Sequence, residues 1–285
     1  MTVDPQVVAH MTRNEADMAF KKRVQTIFEW VPPHDEWRIL DCACGRGFYL
    51  NMYRYVSRCE LVGLELDAEI IRKAQRNVGH LPGITLTRGN IYALPFPDDY
   101  FDGVLLSEIL EHIDDDVAGL REVRRVLKPG GVVAITVPNA NYPFWWDPIN
   151  KTLETVLHTK IRRGPLAGIW ANHERLYERD QLRAAVEAAG FEVEAERAFT
   201  HYSFPFIHNI VYGLGKPLLE SGVMPARLAT AADRTTFDRN RGSLLNPVNL
   251  GVAVLNLFDR PNRLDEPPGR STVNLAIKGR KPAPC

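Results

Sequence analysis

Between Asp41 and Gly47 the chain reads Asp-Cys-Ala-Cys-Gly-Arg-Gly. Glycines so closely spaced allow a tight turn and let a ligand approach backbone N–H groups with no Cβ in the way. A helix starting just after them would add the positive end of its dipole. Glu65 stands 18 residues beyond Gly47, at the end of a second apolar run. A carboxylate at that place can accept hydrogen bonds from both hydroxyls of a ribose. Turn and carboxylate together suit a ligand of nucleotide type lying across strand ends where a sheet reverses its order. The dinucleotide fingerprint needs a third glycine three residues after the second, and Leu50 occupies that position, so the turn is less suited to a pyrophosphate. Nicotinamide binding and a tight turn beside an unliganded glutamate both stay open as readings of these residues.

The elements that would position these groups alternate. Met18, Phe20, Val24, Ile27 and Phe28 fall at roughly helical spacing within residues 15–30, and Pro32-Pro33 stops them. Trp37–Cys42 reads as a buried strand feeding the glycine turn, and Phe48–Tyr55 as the helix after it. Leu61–Leu66 is a second strand, followed by Asp67 as cap of a helix with Ile70, Ile71 and Ala74 inward. Ile84–Thr87, Phe101–Ser107 and Val132–Val137 are further strands. Asp114, Asp115 and Asp116 open a helix that ends with Arg124, Arg125 and Lys128 and is terminated by Pro129-Gly130-Gly131. Leu182–Ala189 is another helix, stopped by Gly190; Phe191–Ala195 and Val273–Ile277 form a closing pair of strands. Repeated β-then-α order implies an α/β fold with a mostly parallel seven-stranded sheet, right-handed crossovers and helices on both faces. The expected organisation is an N-terminal helical segment (1–36) and one domain (37–285), carrying cap inserts at 139–177 and 199–270.

Composition bounds the function. Lysine plus arginine and aspartate plus glutamate each number 35 in 285 residues, which gives no broad attraction to nucleic acid. The four cysteines, Cys42, Cys44, Cys59 and Cys285, lack the spacing of a disulfide framework, and this favours a reducing, cytoplasmic setting. The first residues lack the apolar core of a signal peptide, and no run approaches a membrane span, so stable membrane insertion is not expected.

ILDCACGRG, GLELD, RGNIYALPFPDDYFDGVLLSEILEHI and REVRRVLKPGGVVAITVPN stand in one order along residues 37–139, and HERLYERDQLRAAVEAAGFEV and VNLAIKGRKP follow. In this ordered set the chain resembles class I S-adenosylmethionine-dependent methyltransferases, in the small-molecule branch that includes the ubiquinone-biosynthesis enzymes. The resemblance implies a Rossmann-like sheet whose last strand is antiparallel, and S-adenosyl-L-methionine as cofactor. It places Asp41, Ala43, Gly45 and Gly47 around the methionine and ribose, Glu65 on the ribose hydroxyls and Leu66 against the adenine. Asn90 and Ile91 fall where the family often has an aspartate bonding the adenine amino group, and the asparagine oxygen can accept that bond. Ala43 replaces the family's commonest glycine. Ser107 would face the sulfonium region.

Such a cofactor carries its own electrophile, so the protein's tasks are alignment, exclusion of water and removal of a proton from a hydroxyl or amine acceptor. A histidine suits the last task. His112 follows the fourth strand and His173 ends the first insert, so these two are the candidate bases; packing or capping is the alternative for His112. His158, His201 and His208 are expected to be structural or surface residues. A run like Glu108-x-x-Glu111-His112 contributes metal ligands in ubiquinone-pathway O-methyltransferases, but it also occurs in relatives that need none, and no divalent metal is assigned. Tyr142, Trp145, Trp146 and Trp170, with Phe144, would form an aromatic lid over the acceptor or simply pack the insert. The second insert, with Phe204, Phe206, Ile207, Ile210, Val211, Tyr212 and Leu214, would extend that lid, form a homodimer contact or lie on a membrane surface. The expected reaction is methyl transfer to a small, partly apolar metabolite, most simply at oxygen. Nitrogen or carbon acceptors, and a non-catalytic cofactor-binding partner protein, are the alternatives.

Overall fold

Burial with period two along the strands organises the molecule. In β1 (Arg38–Cys42), Leu40 and Cys42 enter one apolar cluster and Ile39 the other. In β4 (Phe101–Ser107), Val104 and Leu106 face one way and Leu105 the opposite way. In β5 (Leu127–Pro138), Val133, Ile135 and Val137 oppose Val132 and Ala134. Successive strand side chains point to opposite faces, so strands apolar on both must be covered on both. With β2 (Glu60–Glu65), β3 (Ile84–Arg88), β6 (Glu192–Phe199) and β7 (Asn274–Arg280) they form a seven-stranded sheet of order β3-β2-β1-β4-β5-β7-β6. The pairs from β3 to β5 are parallel, and β7 runs antiparallel to both its neighbours. This is the Rossmann-like arrangement expected. The computed structural model describes residues 3–13, 15–215 and 246–283.

One face is covered by α1 (Pro5–Met11), α2 (Met18–Trp30), α3 (Phe48–Val56) and α4 (Ala68–Val78), through Met11, Val24, Ile27, Met52 and Val78 among others. The other is covered by α5 (Asp116–Val126) and α7 (Arg179–Ala188), through Leu120, Val123, Leu182 and Val186. Asp67 caps α4 as its sequence indicates, accepting from the N–H groups of Glu69 and Ile70. The short helix α1 lies inside the N-terminal segment expected to be helical; Asp4 caps it and Pro5 opens it. One boundary differs from expectation. The helix α5 ends at Val126, and Lys128 belongs to β5, where its Nζ lies 2.7 Å from Asp102. Leu127 already pairs with Phe101, and a register shift before Gly103 absorbs Pro129-Gly130-Gly131 within the strand instead of leaving them as a terminator.

A third cluster joins the inserts to the sheet: Met18 and Ala19 of α2, Tyr142, Trp146, Trp170, Ile207 and Val273. Its frame is polar. Asp147 is fully buried, caps α6 (Pro148–Leu157) and accepts from the backbone N–H groups of Asn150 (3.1 Å) and Ile169 (3.0 Å). Glu154 accepts from Tyr142 Oη and from Trp170 Nε1, the latter at 2.7 Å. The second insert contains α8 (Pro247–Asp259). Its arginine-rich middle, residues 216–245, lies outside the described residues, as does Cys285.

β1 passes to α3 through Ala43, Gly45 and Gly47, all with positive φ (64°, 55° and 81°). Gly47 is required twice over, because a Cβ there would also lie 2.6 Å from Val78 Cγ2. Ala43 carries a Cβ in a region that disfavours it. Ala43→Gly should therefore stabilise the chain by about 0.5–1 kcal/mol, since relief of strain exceeds the added freedom of the unfolded chain. Chemical denaturation tests this; a lower midpoint would show that the alanine methyl makes contacts worth more than the strain.

Candidate functional site

The turn and the carboxylate meet. Gly45 N–H donates to Glu65 Oε2 at 3.1 Å, and Cys44 N–H donates to the carbonyl of Leu64 at 2.9 Å. These bonds tie the carboxyl ends of β1 and β2 into one lip. The other oxygen, Glu65 Oε1, accepts from Asp67 N–H at 3.0 Å. Glu65 is half-buried, and each carboxylate oxygen can accept a further bond. No atom lies within 4 Å of where a Gly45 Cβ would stand, so the backbone there faces open space. Beneath the lip Asp41 is buried, and its Oδ2 has no hydrogen-bond partner. Burial, and then the charge of Glu65, pushes its carboxyl up from 3.8 to about 7.

The adjoining walls are fixed by residues far along the chain. Leu66 is 58% exposed, while Ile91 is buried. Asn90 Oδ1 accepts from Tyr92 N–H at 3.1 Å, which turns the loop after β3. That loop is clamped from α5. Arg125 donates to the carbonyls of Leu94 and Phe96, each at 2.9 Å, and Glu122 accepts from Leu94 N–H at 3.0 Å. Ser107 Oγ lies 3.1 Å from Tyr49 Oη and 3.2 Å from Thr136 Oγ1. Tyr49 in turn stands within the fields of Arg23, Asp41 and Glu108.

Past β4 the geometry separates the two glutamates. Glu108 has φ 56°, and its carboxylate meets Arg23 Nη1 at 3.2 Å and Asn274 Nδ2 at 3.0 Å. Glu111 is fully buried with neither oxygen hydrogen-bonded. The Nε2 atoms of His112 and His173 each lie 3.9 Å from Glu111 Oε1, and the two rings meet edge to face with centroids 4.7 Å apart. Glu174 N–H donates to the Glu111 carbonyl at 2.9 Å, which sews the end of the first insert to the β4 exit. Nδ1 of His112 lies 2.8 Å from the carbonyl of Asn172. Burial, followed by the His112 ring, lowers His173 to about 3. Burial, followed by Glu108, raises Glu111 well above the usual carboxylate range.

The remaining predicted residues disperse. Tyr142, Trp146 and Trp170 are buried in the third cluster, whereas Trp145 is 58% exposed beside Phe144. His158 is exposed at the end of α6, His201 Nδ1 lies 2.8 Å from the Ser271 carbonyl, and His208 packs near the Trp146 ring. Sequence reasoning missed Arg23 and Asn274. Arg23 sits in a Lys-Lys-Arg run that reads as a solvated helix face, and Asn274 opens a strand that carried no signal beyond its apolar alternation.

The Asp41 carboxyl makes a pH prediction. With its pKa raised, the folded chain keeps a proton that the unfolded chain releases, so stability falls as pH rises from about 4 to about 7. Asp41→Asn should remove that slope. The stability of wild type relative to the variant should decline by up to ~4 kcal/mol across the window. Denaturation of both proteins at several pH values without cofactor measures it; parallel curves would remove the buried-acid assignment.

Residues 40–135 match the family described as "Methyltransferase domain". An uncharacterized methyltransferase of Schizosaccharomyces pombe is 38% identical over 105 residues, covering 34% of this chain and 38% of the relative. A ubiquinone/menaquinone biosynthesis C-methyltransferase of Pectobacterium carotovorum is 35% identical over 124 residues, covering 42% of this chain and 47% of the relative. The chain thus spans less than half the length of these two curated relatives. A crystal structure of a SAM-dependent methyltransferase from Archaeoglobus fulgidus superposes with a TM-score of 0.52 at 16% identity, covering 98% of this chain and all of that one, a likeness of fold. The match begins at Leu40 beside the lip and ends in β5, so it contains the Gly45–Glu65 contact and the Glu111–His112 pair. Over residues 40–135 the chain therefore matches a methyltransferase domain.

Proposed function

We propose that the chain transfers the methyl group of S-adenosyl-L-methionine to an oxygen of a small, partly apolar acceptor. The observation that carries this reading is the bond between Gly45 N–H and the Glu65 carboxylate, which makes the turn and the ribose-binding group one surface. The residues fit the cofactor. Glu65 has lone pairs to spare for two ribose hydroxyls, and the open space before Gly45 admits a ligand against the backbone. The unpartnered Asp41 Oδ2 suits a cationic amino group such as the methionine end carries. Leu66 and Ile91 would enclose the adenine, with Asn90 at its amino edge. Ala43 and Gly47 shape the turn, and Ser107 lies toward the reacting end.

When bound, the cofactor supplies an electrophilic methyl on a positively charged sulfur. The chain's own residues then align the acceptor and take its proton. The Glu111–His112–His173 group is the deprotonating unit in this reading, because it is the polar group set between the β4 exit and the first insert. Trp145 is the member of the aromatic set with the most ring surface free to meet an acceptor. Carbon transfer is the second reading, favoured by the name of the Pectobacterium carotovorum relative. Deprotonating a phenolic or enolic hydroxyl also enriches the adjoining carbon, so the same group serves either outcome.

Calorimetry should give binding of S-adenosylhomocysteine, and Glu65→Ala should weaken it by about 1–3 kcal/mol. Unchanged affinity would remove Glu65 from the site, and binding of NAD in its place would sink the proposal. With a labelled methyl group and a panel of phenols and hydroxy acids, mass spectrometry and NMR of the product separate oxygen from carbon transfer. Cofactor binding with no transfer to any acceptor would mark a binding protein. His112→Ala should depress kcat far more than it changes cofactor affinity.

A further inference from the structure

The three side chains at the β4 exit pose a problem that hydrogen bonding does not solve. Glu111 is fully buried, and neither of its oxygens is hydrogen-bonded to another residue. Such groups are rare in folded chains unless a ligand, ion or water satisfies them. The two imidazole Nε2 atoms lie 3.9 Å from Glu111 Oε1, beyond hydrogen-bond reach. One ligand atom from each of Glu111, His112 and His173 can be chosen so that all lie within 4.8 Å of one another. Atoms that each stand ~2.0–2.2 Å from a common cation are separated from each other by about 3–4 Å. The gap is thus too wide for direct bonds and close to the width that one ion would span.

The orientation of the rings supports the same reading. His112 Nδ1 lies against the Asn172 carbonyl at 2.8 Å. A proton held there leaves the Nε2 lone pair directed at Glu111, the usual outer support of a metal-bound histidine. Asn172 adopts φ 62°, a left-handed conformation uncommon for a residue with a side chain, in presenting that carbonyl. The Glu174 N–H bond to the Glu111 carbonyl holds the segment bearing His173 in place. Glu108 takes no part, because Arg23 and Asn274 hold its carboxylate.

We propose that Glu111, His112 and His173 bind a first-row divalent cation, with a coordination position left open toward the acceptor. Two imidazoles and one carboxylate are the ligands of catalytic zinc sites and of open iron sites. The set spans the β4 exit and the first insert and is not the contiguous Glu108-x-x-Glu111-His112 run. Its catalytic use rests on the methyl-transfer reading: with the cation bound, the imidazoles are ligands and not the base, the ion lowers the pKa of an acceptor hydroxyl at the open position, and the proton leaves to solvent. The binding itself does not rest on that reading.

The test is metal uptake by the full chain after treatment with a chelator. Wild type should take up one equivalent of Co²⁺ per chain, with visible d–d absorption. Glu111→Gln and His173→Ala should each weaken uptake by ~100-fold or more, while Glu108→Gln binds as wild type does. X-ray absorption at the zinc edge of the Zn²⁺-loaded wild type should show nitrogen and oxygen ligands, imidazole among them, and no sulfur. Absence of stoichiometric uptake overturns the proposal, and so does a sulfur shell or undiminished uptake in both variants. Should the variants fail to fold, uptake and ligand shell in the wild type still decide. Uptake without methyl transfer would sink the proposed activity and leave the metal site standing; transfer by a chain that takes up no metal would do the reverse.

Discussion

A single hydrogen bond, from the Gly45 N–H to the Glu65 carboxylate, joins two strand ends into one surface, the one proposed to hold the cofactor. It can form only because β1 and β2 are parallel neighbours whose carboxyl ends coincide, Cys42 pairing with Leu64. The alternation of apolar side chains fixes that register, since a slip of one residue would send Leu40 and Cys42 to the wrong face. The lip therefore inherits its precision from the core. The clamp of Arg125 and Glu122 does the same for the loop after β3, which is proposed to meet the adenine.

The carboxyl edge is also where the backbone is most strained. Ala43, Glu108 and Thr200 directly follow β1, β4 and β6, and all three have positive φ, at 64°, 56° and 67°. Each costs on the order of 1–3 kcal/mol for a residue with a Cβ. The conformation turns the chain sharply off the sheet, so that the residues just beyond the strand remain at its edge. At Glu108 the turn delivers the carboxylate to Arg23 and Asn274 and lets the following turn bury Glu111. The sheet, buried on both faces, offsets these local costs.

Much of this was legible in the residues. Strand positions followed from apolar runs, the α4 cap from Asp67, and the lip from glycine spacing and the carboxylate at 65. Less legible was anything that depends on which distant segments meet. His112 and His173 read as two separate candidate bases, and only the path of the first insert brings their rings together against Glu111. Arg23 and Asn274 escaped because a charged helix face and the first residue of a strand have many uses. The aromatic run after β5 suggested one lid, but three of its rings are held inward by packing and by the Glu154 carboxylate, which sequence spacing does not reveal.

The placement of β7, the last strand in sequence but not the edge strand of the sheet, bears on biosynthesis. This strand lies between β5 and β6, and its first residue, Asn274, is one of the two groups that hold Glu108. Until residues 274–280 have left the ribosome, β5 and β6 face a gap one strand wide, and the Glu108 carboxylate lacks its amide partner. The region where methyl transfer is proposed is finished only with the insertion of β7, a long-range pairing of the kind that folds slowly.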